Sequence, residues 1–260
     1  MPTPTTTPRL PGRRRLADRR FGIRLLAAAA VAAAAAVPFA LLLVLVEGRW
    51  RPLRDLDHDA ANGLHRVAVD HPAWTSTLRV LSNYVWDPLT LRVGVALLTG
   101  WLLWRGARRL AAWAAATAVT GGLLGLGVKT LVERARPVLE DPVAHAPGYS
   151  FPSGHAMTAT TSFAVFLLVL LPLVPGRARV VCWVVAVLSV LGVGFTRVAL
   201  GVHWFSDVLG GWLLGLAVVV LTSRAFEAWR SDTGQRPTHV AEGLEPELTT
   251  PSPEPDSTPR

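Results

Sequence analysis

The chain has 260 residues, 51% of them hydrophobic, with 10 Trp, a net charge of +8 and a mean hydropathy of +0.37. Several apolar stretches reach the ~17–25 residues that cross a bilayer, which excludes an ordinary water-soluble globule and identifies an integral membrane protein. The positive charge does not imply nucleic acid, because the arginines stand in short runs beside apolar segments, as orientation signals do.

Residues 1–24 carry seven Arg among Pro and Thr and form a basic tail. Leu25 to Val46 has no charge and a single proline, Pro38, and is the first expected span. Arg19-Arg20 ahead of an Ala-rich run also suits an export signal, but these 22 uncharged residues exceed the ~7–15 of a signal core. From Glu47 to Asp87 five Arg face six acids, and Trp74, Leu78, Leu81 and Val85 recur at helical spacing, which predicts an interfacial or packed amphipathic helix. His58, His65 and His71 are too dispersed for a ligand set and read as loop histidines.

Pro88 to Trp104 is a second span with Arg92 near its outer end, where a long side chain can snorkel, and Arg105, Arg108 and Arg109 close it. Leu110 to Val128 is the third, ending in Gly121, Gly122, Gly125 and Gly127, which favour close helix packing. Residues 129–150 form a polar loop with Lys129, Arg134, Arg136, His145, three acids and three prolines. Ala156–Val174, Val180–Thr196 and Val208–Ser223 are the fourth to sixth spans, so residues 25–226 make one all-α, six-span unit. Residues 227–260 are an expected disordered tail: from Ser231 onward six acids and six prolines leave nothing to bury. The sole cysteine, Cys182, lies in an apolar run, so no intrachain disulfide is possible.

Arginine is dense in residues 1–24, 105–109 and 175–179 and sparse over 47–87, which places both termini in the cytoplasm and loops 129–155 and 197–207 together on the outer face. Those two loops hold the chemistry. Arg197, His203 and Asp207 lie between two apolar runs, where ionisable side chains point to function. His203 and Asp207 are i and i+4. On a helix running from Val202 the carboxylate would hold one imidazole nitrogen and free the other to attack. Arg197 would lie on the wrong face of such a helix, so Gly201 is expected to end one helix before the next begins.

Phe151-Pro152-Ser153-Gly154-His155 opens the fourth span, so the amides of Ser153, Gly154 and His155 stand at a helix N-terminus, where anions bind. Ser153 can cap that helix, and Gly154 lets the backbone approach a ligand. Lys129 is the one lysine in a chain with 25 Arg. With Arg136 and Arg197 it adds cations suited to a transferring phosphoryl group without help from a metal. His203 would then attack and His155 protonate the leaving oxygen.

Lys129-x6-Arg136-Pro137, Pro152-Ser153-Gly154-His155 and Arg197-x5-His203-x3-Asp207 together resemble the three-part signature of the type 2 phosphatidic acid phosphatase superfamily. The resemblance covers roughly residues 60 to 225, with the signature in 129–207. The residue before Arg197 is Thr196, where the family often has serine, and the hydroxyl is kept. The resemblance implies metal-independent hydrolysis of a lipid phosphomonoester or pyrophosphate through a phosphohistidine on His203. It implies that Asp207 orients this histidine, that His155 is acid then base, and that Lys129, Arg136, Ser153, Gly154 and Arg197 bind phosphate.

Three other readings compete. An intramembrane serine protease using Ser153 would need neutral oxyanion donors rather than three cations. A zinc hydrolase would take His145, His155, His203 and Asp207 as ligands. A non-catalytic phospholipid carrier would have no use for a paired His203 and Asp207. The expected partners are a lipid phosphate and the surrounding bilayer lipids, with no nucleic acid and no signal for a particular oligomer.

Overall fold

The structure, a computed structural model, describes residues 12–236 and 238–246, with backbone alone for 12–29 and 241. Among these residues all regular structure is helical: α1 (Gly12–Glu47), α2 (Arg51–Asp70), α3 (Pro72–Val80), α4 (Pro88–Trp104), α5 (Arg108–Val132), α6 (Gly154–Leu170), α7 (Gly176–Ala199) and α8 (Phe205–Asp232). Local signals explain several boundaries. Prolines occupy the first turns of α2, α3 and α4, where a missing N–H costs nothing. The Asp87 carboxylate caps α4 by accepting from Leu89 N at 2.8 Å and Thr90 N at 3.2 Å.

Five helices are long and apolar enough to cross a membrane: α1 over Ala30–Glu47, α5, α6 with the turn that follows it to Leu173, α7 and α8. Helix α4 has the bounds expected of the second span, but its 17 residues are about 25 Å long at ~1.5 Å per residue, short of a ~30 Å hydrocarbon layer. The predicted amphipathic helix over 74–85 is two pieces, α3 and a π-helical turn Leu81–Val85, with Leu78 buried and Val85 exposed. Ahead of it, α2 buries Leu53, Asp57, Ala61, His65 and Ala68 along one stripe. His65 is therefore no loop histidine: it is buried in α2, with Nε2 2.6 Å from the Glu140 carbonyl.

Helices α6 and α8 pair at the centre, α1 lies on α8, α5 contacts both, α4 leans on α5 and α6, and α7 covers α6. The central pair is close because Gly211 has no side chain: a Cβ there would stand 2.6 Å from the Ser153 carbonyl oxygen. Leu41, Val44, Leu123, Leu126, Val181 and Leu188 are exposed on the outside of the bundle, as lipid-facing side chains would be. Helix α2 crosses one end, against α7 and α8.

Helix α8 runs on to Asp232, beyond the expected edge of the bundle at 226. The expectation of nothing to bury past Ser231 fails at Leu244, which is buried beside Trp113, Val169 and Phe226 while its N–H donates to the Leu168 carbonyl at 3.1 Å. Of the two expected tails, residues 1–11 and 247–260 lie outside the described residues.

Candidate active site

The candidate site forms where loop 133–153 meets the turn from α7 to α8. Helix α7 ends as expected: Gly201 takes φ 68°, a conformation that suits glycine, and the chain reverses. Val202 N and His203 N both donate to the Arg197 carbonyl, at 3.2 and 3.3 Å, so the turn holds His203 beside the arginine.

His203 is 2% exposed. Its Nδ1 lies 3.3 Å from Asp207 Oδ2 and its Nε2 3.1 Å from Arg136 Nη1. A guanidinium only donates, so Nε2 must be the acceptor and the proton resides on Nδ1, directed at Asp207. Burial first, and then the charges of Arg136, Arg197 and Lys129, hold the His203 proton affinity well below that of an ordinary histidine, so the ring is neutral with its lone pair on Nε2.

The contact with Asp207 is not the shared helical face that the spacing suggested. Helix α8 begins at Phe205, leaving His203 ahead of it. Asp207 reaches back from the first turn as a capping carboxylate, its Oδ2 accepting from Trp204 N at 2.9 Å as well as from His203. Its Oδ1 accepts from Arg134 Nη1 at 2.6 Å.

Arg134 and Asp57 were not singled out in the sequence. Arg134 bridges two carboxylates, donating to Asp57 Oδ2 at 2.7 Å through Nη2 and to Asp207 through Nη1. Asp57, 1% exposed on α2, also accepts from Ser206 N at 2.8 Å and Ser206 Oγ at 2.6 Å, an anion on the N-terminus of α8. The result is a polar row Asp57–Arg134–Asp207–His203. An acid in register with Leu53, Ala61 and Ala68 was a readable sign for Asp57, whereas Arg134 gave none.

At the start of α6, Ser153 is the N-cap, its Oγ 3.5 Å from Ala156 N. Its own N–H donates to the Asp207 carbonyl at 2.8 Å, so the amides free to meet an anion are those of Gly154 and His155. Half-buried His155, in the first turn, is near enough to Arg197, His203, Arg136 and Arg92 to feel their charge.

The three expected phosphate cations differ from Arg134 in lacking carboxylates: among the described residues Lys129, Arg136 and Arg197 form no ion pair. Lys129 Nζ donates to the Tyr149 carbonyl at 2.6 Å. Arg136 pins the loop, reaching the carbonyls of Gly148, Pro147, Tyr149 and Val202 at 2.9, 2.9, 3.2 and 2.6 Å. Arg197 is 5% exposed, donates one bond to Ser82 Oγ at 2.8 Å, and has no partner for Nε among the described residues. Ser82, on the π-helical turn, is a further participant that the sequence did not mark.

His145 does not join the group. It is exposed and lines a cavity of about 300 Å³ with Arg136, Leu139 and Gly201. Among the described residues no three His, Cys, Asp or Glu side chains come together as metal ligands, which leaves the zinc reading without a ligand set. Among the described residues Ser153 Oγ meets the Ala156 amide and no histidine, so the protease reading lacks its base.

A family model described as the PAP2 superfamily matches residues 109–231. The phosphatidylglycerophosphatase B of Bacillus subtilis is 42% identical over 105 residues, covering 39% of this chain and 51% of the relative. An undecaprenyl-diphosphatase of Sulfolobus acidocaldarius is 33% identical over 140 residues, covering 51% and 59%. A lipid A 1-phosphatase of Rhizobium johnstonii is 34% identical over 119 residues, covering 42% and 45%. The chain thus spans about half the length of these curated relatives. The crystal structure of a transmembrane PAP2-type phosphatidylglycerolphosphate phosphatase from Bacillus subtilis superposes with a TM-score of 0.67 at 23% identity, covering 76% of this chain and 96% of that one. Residues 109–231 thus match the PAP2 superfamily model, and the multi-pass chain has the fold of a transmembrane PAP2 protein.

Proposed function

We propose that the protein is a phosphatase that hydrolyses a lipid phosphomonoester or diphosphate, without a metal, through a phosphohistidine on His203. The observation that carries the reading is Arg197: a guanidinium 5% exposed, with an open Nε and, among the described residues, no carboxylate in ion-pair contact, calls for an anion to enter beside it. A phosphoryl group at that point meets Lys129, Arg136 and the amides of Gly154 and His155. These donors suit the charge on its equatorial oxygens. Ser153 contributes by fixing that helix start.

In the first step the Nε2 lone pair of His203 forms the N–P bond and the ester oxygen leaves, taking a proton from His155. Arg136 Nη1, which faces Nε2 at 3.1 Å, turns its hydrogen bond to a phosphoryl oxygen as the lone pair is used. The positive charge on the ring is met by Asp207 through Nδ1–H. In the second step neutral His155 takes a proton from water, the water oxygen bonds to phosphorus, the N–P bond breaks, and inorganic phosphate departs. The row Asp57–Arg134 holds Asp207 in place.

We further propose that α4 also crosses the membrane as the second of six spans, that residues 25–226 form the membrane unit between two cytoplasmic tails, and that the site faces outward; arginine density supports this orientation. The three similar enzymes named above act, by their names, on lipids carrying phosphate or diphosphate, which supports the substrate class. The test is release of phosphate by the purified protein from phosphatidate, lysophosphatidate, phosphatidylglycerol phosphate and an isoprenyl diphosphate. Wild type should release phosphate from at least one, with excess EDTA present, and His203→Ala from none. Activity that collapses in EDTA and returns with zinc or magnesium would overturn the metal-free mechanism; no release from any lipid would overturn the function.

A further inference from the structure

Besides Lys129, Arg136 and Arg197, a further cation lies beside the candidate site in a place the mechanism above does not use. Arg92, the fifth residue of α4, is exposed, and its one hydrogen bond among the described residues is a long 3.4 Å contact from Nη2 to Thr158 Oγ1. Among the described residues no carboxylate forms an ion pair with it, and Asp87 at the start of the same helix turns its Oδ2 to the amides of Leu89 and Thr90. It lines a cavity of about 150 Å³ between α4, α5 and α6, shared with Gly122, Lys129, Gly154, Thr158 and Thr161. Lys129 and Gly154 belong to the expected phosphate pocket, so the cavity runs from that pocket to Arg92. Helix α5 leaves it open: a Cβ on Gly122 would meet nothing within 4 Å. An arginine without an ion-pair partner among the described residues, on a membrane helix and in one cavity with Lys129 and Gly154 of the phosphate site, is placed for an anion.

We infer that this cavity is a second phosphoryl subsite, in which Arg92 binds the phosphate attached to the lipid while the terminal phosphate sits by His203. The substrate class is then a lipid diphosphate; the inference rests on the phosphatase reading above and narrows it. Attack by Nε2 on the terminal phosphorus forms the N–P bond and breaks the bond from the bridging oxygen to that phosphorus. The electron pair stays on the bridging oxygen, and a lipid monophosphate leaves. Its developing charge faces Arg92. A monoester such as phosphatidate places an uncharged carbon–oxygen group there and leaves Arg92 without a ligand.

The test compares kcat/KM of the full chain in detergent for farnesyl diphosphate and farnesyl monophosphate. Loss of one charge-assisted contact predicts a fall of about 10–100-fold for Arg92→Gln on the diphosphate, with a much smaller change on the monophosphate, where only the charge near His155 is lost. Retained monophosphate turnover also shows that the variant folds. Arg92→Lys, which keeps the charge, should recover much of the diphosphate rate. Equal losses on both substrates, or none on either, would overturn the subsite. Wild-type turnover of phosphatidate without any of farnesyl diphosphate would overturn the subsite alone, whereas turnover of no lipid would overturn the phosphatase reading beneath it.

Discussion

Asp207→Asn tests the site more sharply than a deletion, because it keeps the size of the side chain and changes only its bonding. In the native protein the two oxygens have different duties: Oδ1 accepts from Arg134 at 2.6 Å, and Oδ2 accepts from Trp204 N at 2.9 Å and His203 Nδ1 at 3.3 Å. An asparagine has one oxygen and one NH2 group for these two places. With its oxygen toward Trp204 and His203, its NH2 faces the Arg134 guanidinium, donor against donor. With its oxygen toward Arg134, its NH2 faces Trp204 N–H and requires His203 to accept at Nδ1, which moves the ring proton to Nε2 and removes the nucleophile. Either orientation leaves a buried donor unsatisfied, a cost of about 1–3 kcal/mol, and the second imposes the wrong tautomer, which in a serine protease triad costs about 10⁴-fold in kcat. The variant should therefore lower the unfolding midpoint in detergent and reduce kcat for lipid phosphate by about 10³–10⁴-fold, with a much smaller change in KM. A kcat within tenfold of wild type, measured by phosphate release, would refute the assigned proton on Nδ1 and the role of the pair.

Three further outcomes follow from the same geometry. The His203 proton affinity is depressed below its ordinary 6.5, so the folded chain binds fewer protons than the unfolded chain; the stability tied to this ring is present above about pH 6.5 and lost as the pH falls below it. A ring-carbon NMR titration should find His203 neutral at pH 6, and a midpoint near 6.5 would contradict the reading. Arg134→Met leaves the side chains of Asp57 and Asp207, both buried, without their cation, for a loss of about 3–5 kcal/mol. Asp57→Asn should cost less, and strictly additive effects in the double variant would deny that the row is coupled. Lys129, the chain's only lysine, should react with a membrane-impermeant amine reagent on intact cells, inactivating the enzyme and being protected by vanadate. Complete labelling with turnover intact, or labelling only after permeabilisation, would reject its role or the outward orientation.

Apolar run length and arginine placement made the helices legible, down to the bounds of α4, since both signals are local in sequence. The break at Gly201 was legible for the same reason: the arginine and histidine on either side of it lie on different faces of any single helix. What local spacing could not reveal were bonds across distant segments. Asp57 meets Ser206 over 149 positions, Arg134 meets Asp57 over 77, and Ser82 meets Arg197 over 115. The i, i+4 relation of His203 and Asp207 gave the right pair through the wrong geometry, because a capping carboxylate reaching back from α8 spans the same interval. Leu244 escaped notice because one apolar residue in a polar tail carries no periodic signal, although its place beside Trp113 and Phe226 gives it a core to join.

The central claim, a phosphoryl group carried on His203, is tested most directly by rapid quench. The purified protein is mixed for milliseconds with a lipid whose terminal phosphate carries ³²P, then denatured in alkali, where phosphohistidine survives. The account predicts a label that is lost in acid, that maps to the peptide containing His203, and that is absent from His203→Ala. Phosphate released at the wild-type rate with no label on the protein at any time, or a label that survives in His203→Ala, would contradict it.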